Sequence, residues 1–285
     1  NNRWGTFPSA SAAWRITEED FMQDQNVFDD LKLRVGYGVS GNSLGFDAFY
    51  SRPVYGSTGW FTYVDANGTE SQYRILGATR NSNPDLKWET TGMFNIGLDF
   101  GFFNNRLTGT IEYYDKRTSD LIYDYEVSTN RYPYGWMTAN VGDISNKGIE
   151  ISINAIPVQT RNFTWSTSIN LSHNKNVVEK LSNETYSVPY IDGKSDADIG
   201  GWSGWNVQRI YEGSPIGQFY VLEWAGYDES GSSLFNHYDE EGNLIGTTDN
   251  PDSKTDRRAH GSAQPKLVYG WNNAVSYTHL TLPTN

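Results

Sequence analysis

The sequence predicts an all-β fold: an antiparallel sheet of about seven long strands, part of a larger transmembrane β-barrel with long extracellular loops. Three observations carry this reading. Several segments of about ten residues alternate apolar and polar side chains. Successive side chains of a strand point to opposite faces, so each segment has one apolar and one polar face, and that length crosses a hydrocarbon core when tilted. Aromatics make up 15% of the chain and Gly numbers 28, while hydrophobic residues reach only 37%, which suits strands and turns better than a helical core. Short and long connections also alternate, the rhythm of a chain passing up and down through a bilayer with tight turns on one side. A secreted sandwich or propeller is the alternative these residues leave open, although sandwich turn signals come every ~8–12 residues without such alternation.

In chain order, Phe7 to Ile16 is the first expected strand, rich in small residues. Thr17-Glu18-Glu19-Asp20 has the spacing of a helix cap, and residues 17–29 read equally as a short helix or a polar loop. From Leu31 to Val39 the alternation is strict: Leu31, Leu33, Val35, Tyr37 and Val39 share one face, and Lys32, Arg34, Gly36 and Gly38 the other. The polar segment 40–89 carries Phe46, Phe49, Tyr50, Tyr55, Trp60, Phe61 and Tyr63. It far exceeds the usual connection of about 4–6 residues, so it is a functional loop or an excursion of its own.

Thr91 to Thr118 is the clearest hairpin, with Phe103-Asn104-Asn105-Arg106 as its turn. Phe94, Ile96, Leu98, Phe100, Leu107, Ile111 and Tyr113 lie on its apolar side, and Asn95, Asp99, Thr110 and Glu112 on its polar side. A tyrosine-rich loop is expected over 119–147, then strands at Gly148–Ile156, Phe163–Leu171 and Lys266–Ser276. The Gly-rich stretch 173–264 suggests hairpins at Phe219–Trp224 and at Leu244-Ile245, after Glu241-Gly242-Asn243.

Composition narrows function. The net charge of −12 disfavours nucleic acid, and the lack of Cys excludes disulfides, thiolate metal sites and a Cys nucleophile. No apolar run is long enough for a membrane helix, which leaves a β-barrel untouched. His173, His237, His260 and His279 show no metal-ligand spacing, and neither a nucleophile elbow nor a phosphate loop occurs, so no enzyme is expected. No cofactor or metal site is expected either; Asp239-Glu240-Glu241-Gly242-Asn243 reads as a solvated turn rather than a calcium loop.

Several motifs occur together and in order: DLKLR leading into YGVSGN, NPDLKWET, FFNNRLTGTIEYYDKRTSDLI, NVGDISNKGIE, NFTW, SHNKN and GSAQPK. Over residues 3–276 the chain resembles the C-terminal barrel region of SusC/RagA-type TonB-dependent transporters of the Bacteroidetes outer membrane. The resemblance implies a 22-stranded barrel in the cell outer membrane. It implies import of oligosaccharide or peptide cargo with energy from TonB, reached through an N-terminal region outside this chain, and a SusD-like surface lipoprotein as lid. Outer-membrane lipid would surround the wall; a secreted glycan-binding all-β protein is the alternative. Residues 1–277 are assigned to the barrel, whereas 278–285 resemble translated adapter sequence and read as a non-native tail, from read-through or assembly. The candidate contacts with cargo or lid are Trp60, Tyr132, Tyr134, Trp136, Trp202 and Trp205, because sugar C–H faces stack on aromatic rings; packing between loops is the plainer role for any one of them.

Overall fold

A computed structural model describes residues 4–43, 52–192 and 206–277. Trp202, Trp205, Phe46, Phe49, Tyr50 and the tail 278–285 lie outside the described residues. Two compact units emerge: one comprises Asn1–Asn176, Ser182–Ser187 and Lys266–Asn285, the other Val177–Leu181 and Val188–Pro265.

The strands are β1 (Ser9–Arg15), β2 (Asp30–Asn42), β3 (Val54–Val64), β4 (Glu70–Arg80), β5 (Glu89–Phe102), β6 (Leu107–Glu126), β7 (Trp136–Gln159) and β8 (Phe163–Lys180). Next come β9 (Ile191–Asp192), β10 (Arg209–Ile210), β11 (Gln218–Leu222), β12 (Trp224–Tyr227), β13 (Ser233–Tyr238), β14 (Leu244–Thr248), β15 (Arg257–Ser262) and β16 (Val268–Tyr277). Seven of them form one sheet in the order β1-β2-β5-β6-β7-β8-β16, a meander interrupted by two excursions. The first excursion is the β3/β4 hairpin; the second contains β9 to β15.

Residues directly opposite in an antiparallel pair share a face, so the registers can be read as rows. One row is Trp14, Leu33, Leu98, Ile111 and Ile151; the next is Ala12, Val35, Ile96, Tyr113 and Ile149. From Phe102 to Ile96 these rows rise roughly 15 Å at the usual strand tilt, without a charged side chain. Val35, Ile96, Ile111, Tyr113, Ile149 and Ile169 are exposed rather than covered by a second layer. Two polar groups do enter this face, Thr167 and Asn273, opposite each other on β8 and β16. Indole N–H groups engage both: Trp271 Nε1 donates to Thr167 Oγ1 at 2.9 Å, and Trp165 Nε1 to Asn273 Oδ1 at 3.2 Å.

The opposite face is charged and self-paired. Arg34 grips Asp99 through Nε and Nη2 (2.8 and 3.0 Å) and reaches Glu112 at 3.3 Å. Lys32 lies 3.7 Å from Asp99, which also accepts from Thr110 at 3.0 Å. Arg34 can span β2 to β6 because Gly97 lies beneath it: a Cβ there would stand 2.8 Å from Arg34 Nη2. Tyr114 crosses Gly148 in the same way to donate to Asn174 Oδ1 at 3.1 Å. One face suits hydrocarbon, and the other suits a hydrated lumen.

The hairpin turn occurs as expected, with Phe103, Asn104 and Asn105 at φ 59°, 57° and 59°, a left-handed region that Asn tolerates better than most residues. Arg106 fastens it by donating to the Ile156 and Pro157 carbonyls. Other expectations are corrected. Residues 17–29 form neither a helix nor a plain loop but two 3₁₀ turns, Ile16–Glu18 and Asp20–Met22, separated by the extended backbone of Glu19. Residues 119–147 are mostly strand rather than loop: β6 and β7 stay paired up to Glu126–Trp136, and only 127–135 connect them. Phe219–Trp224 is divided: Phe219–Leu222 lies in β11, which pairs with the distant β15, whereas Trp224 opens β12, which makes a local hairpin with β13. The turn before Leu244 does join two strands, β13 and β14.

Leu98→Lys in the full-length barrel should lower folding stability in a bilayer by about 2–4 kcal/mol, its position being near the middle of the apolar band. Gly97→Lys, on the charged face, should cost less, the strain falling on the flexible end of Arg34. Denaturant titration in vesicles measures both.

Candidate functional site

The outer edge of the apolar face is marked by charge. Above Tyr113 and Ile149 the same face carries Asp115 and Lys147, opposite each other and 3.1 Å apart. Beyond Asp115, β6 continues eleven residues to Glu126, roughly 35 Å of strand, so the β6/β7 hairpin projects well past the apolar band. A bulge between Thr118 and Ile122 begins the projection. Its Asp120, at φ 62°, is held by Lys87 Nζ (2.8 Å) and by Asn140 Nδ2 donating to its carbonyl (2.7 Å).

A segment preceding β5 straps this hairpin. Asn81 is 4% exposed; its amide donates to the Tyr134 and Trp136 carbonyls while its oxygen accepts from the Tyr134 N–H at 3.2 Å. Asn83 Nδ2 donates to the Thr138 carbonyl at 2.8 Å. Asn140 returns the arrangement, accepting from the Lys87 N–H at 2.9 Å and donating to the Lys87 carbonyl at 2.8 Å. Side-chain amides thus do the work of a strand ladder along Asn81 to Lys87. Tyr125, Met137, Ala139, Val141 and Leu86 are buried here, the apolar core of this unit among its described residues.

The candidate aromatics divide. Tyr132, Tyr134 and Trp136 gather at the tip of the β6/β7 hairpin. Tyr134 and Trp136 are exposed, and the Arg131 guanidinium stacks 5.5 Å from the Tyr132 ring. Trp60 belongs to another element, β3, where Arg74 sits opposite it with its guanidinium 5.3 Å from the ring. Missed from sequence was a stack of Tyr123, Tyr125 and Tyr186, with centroids 5.4 and 5.5 Å apart. Tyr186 comes from a distant segment, so only its aromatic character was visible in advance.

In the second unit the rings are mostly engaged by arginines. Arg209 lies 3.7 Å from the Tyr190 ring and 4.2 Å from the Tyr220 ring, and its Nε is 2.7 Å from Asp192. Arg257 donates to the Tyr220 and Asn206 carbonyls; burial and the neighbouring Arg209 lower its pKa. Arg258 stacks 3.7 Å from Tyr238, whose hydroxyl holds the Glu223 carboxyl below its ordinary range with help from the Asn236 amide. Asp239 caps its turn, accepting from the Asn243 N–H at 2.7 Å. Trp224 and Tyr227 remain exposed, edge to face with centroids 5.3 Å apart.

A single antiparallel meander with one apolar exposed face, one charged face and its excursions at one end is the wall of a transmembrane β-barrel, not a sandwich. The family described as TonB dependent receptor-like, beta-barrel matches residues 1–249. TonB-dependent receptor SusC of Bacteroides thetaiotaomicron is 37% identical over 97% of this chain and 26% of its own length. A TonB-dependent receptor of Formosa agariphila is 34% identical over 98% of this chain and 27% of its own length. Two structures of the RagAB peptide transporter superpose with a TM-score of 0.74, at 24% and 25% identity. They cover 97% and 95% of this chain and 29% and 28% of theirs. The chain belongs to the TonB-dependent receptor β-barrel family, in its SusC/RagA-type branch, and spans about a quarter of the length of these curated relatives.

Asn140→Ala in the full-length protein should cost about 1–3 kcal/mol locally by stranding the partners of its amide. Amide hydrogen exchange at Lys87 and over 81–88 should quicken, while residues 94–100 of the wall stay protected.

Proposed function

We propose that this chain forms part of the wall and extracellular superstructure of an outer-membrane active transporter. The whole protein imports oligosaccharide or peptide with energy from TonB, and a SusD-like surface lipoprotein closes its mouth. The observation that carries this reading is the 37% identity to SusC over 97% of the chain; the superposition on the RagAB peptide transporter supports the same architecture. Residues 1–277 belong to the barrel portion, and 278–285 take no part in transport. The role is passage rather than catalysis.

The strapped β6/β7 hairpin gives the reading a local form. It holds Tyr132, Tyr134 and Trp136 on a stiff support beyond the apolar band, where an incoming cargo or lid meets the wall. Rings with exposed apolar faces beside Arg131 suit both a sugar face and a protein surface. Trp60, Trp202 and Trp205 are further contacts of the same kind.

Replacing Trp136, Trp202 and Trp205 together by Ala in the full transporter should reduce cargo uptake or lid binding severalfold, with the barrel still heat-modifiable on gels. Uptake and lid binding both equal to wild type would remove these residues from the function.

A further inference from the structure

The lipid-facing side of the wall ends in a cationic row that transport does not account for. Lys147 on β7 lies opposite Asp115 on β6, and Arg117 stands one step further out on that face. Asp115 carries both: Arg117 Nε is 3.3 Å from one oxygen and Lys147 Nζ 3.1 Å from the other. The next strand adds Lys175. Asn174 accepts from Tyr114, and Asn176 donates to Asn146 Oδ1 at 2.8 Å, so both lie on the charged lumen face. Lys175, between them, therefore points to the lipid side, and the Asn146–Asn176 contact puts it level with Lys147. Lys175 is exposed and has no ion-pair partner among the described residues.

Three cations on three adjacent strands thus accompany Asp115, with Asp143 one step beyond Arg117, in a chain whose net charge is −12. They sit immediately above the uncharged rows of Tyr113 and Ile149, on the side of the excursions, which is the outer side of a barrel with short periplasmic turns. A side chain at that level and on that face meets lipid headgroups rather than cargo or lumen.

We propose that Arg117, Lys147 and Lys175 form a binding site for the anionic, phosphate-bearing headgroup of an outer-leaflet glycolipid, which docks against the outside of the wall. The site rests on the membrane-barrel reading above. Lys147 and Lys175 lie level on neighbouring strands, so a phosphate between them would serve both as counter-charge, and Arg117 would supply a planar donor fork for its oxygens. Asp115 keeps the two nearer cations extended along the face instead of letting them turn outward.

The test uses the full-length protein in phosphatidylcholine vesicles containing a minor fraction of phosphorylated lipid A, compared with phosphatidylcholine alone. Lipid retained by the extracted protein is quantified by native mass spectrometry. Each basic residue near an anionic surface strengthens attraction roughly fivefold, so the triple variant Arg117→Gln, Lys147→Gln, Lys175→Gln should retain lipid A more than tenfold less than wild type. Lys175→Gln alone, which leaves the Asp115 pairs intact, should lose about fivefold. Lys116→Gln, on the lumen face, should retain wild-type levels. Equal retention by wild type and the triple variant, both heat-modifiable and inserted, overturns the site while leaving the barrel standing. A wild-type protein that fails to insert overturns the barrel reading and the site with it.

Discussion

The structure depends on one constraint: a strand whose face meets hydrocarbon must have its N–H and C=O groups paired by neighbours and must keep charge off that face. The long registers of β2 with β5, β5 with β6 and β6 with β7 meet the first demand. The rows through Leu33, Leu98, Ile111 and Ile151 meet the second. Because the side-chain period is two, a slip of one residue would exchange Leu98 for Asp99 and bring the Arg34 cluster into lipid. The register is therefore held from both sides, by the cost of charge in lipid and by ion pairs that form only in this alignment.

Glycine links the two demands. On the lumen face Arg34 and Tyr114 each reach across an intervening strand, and in both cases a glycine, Gly97 or Gly148, supplies the clearance. These crossings tie three strands at once where a cross-strand pair ties two. Much of the wall's lateral order thus comes from a few long side chains lying flat on the sheet, a pattern that composition alone registers only as abundant Gly.

What the sequence revealed follows the same physics. The faces of β2, β5 and the lower parts of β6 to β8 were legible because lipid on one side enforces strict alternation. Asn95, Asp99, Thr110 and Glu112 do fall on the charged face. Beyond Asp115 and Lys147 both sides of the hairpin are wet, the alternation loses its purpose, and the bulge at Leu121 shifts its phase. The continuation of β6 and β7 to Glu126 and Trp136 accordingly carries no strand signature in the sequence. The strap was equally hidden: Asn81, Asn83 and Asn140 act through amides on backbone groups far along the chain, and only their partners show why Asn rather than Ser stands there. Of the aromatic candidates, Tyr132, Tyr134 and Trp136 share a tip because they are neighbours in sequence, whereas nothing local tied Trp60 to them.

The central claim is that Leu98 and Ile111 face lipid while Asp99 and Thr110 face water. Single cysteines at these four positions of the full-length protein, carrying a nitroxide and reconstituted in vesicles, measure it through collision with oxygen and with a water-soluble nickel chelate. Oxygen should dominate at Leu98 and Ile111, and the chelate at Asp99 and Thr110. Chelate-dominated relaxation at all four positions, or the reverse assignment, would contradict the account.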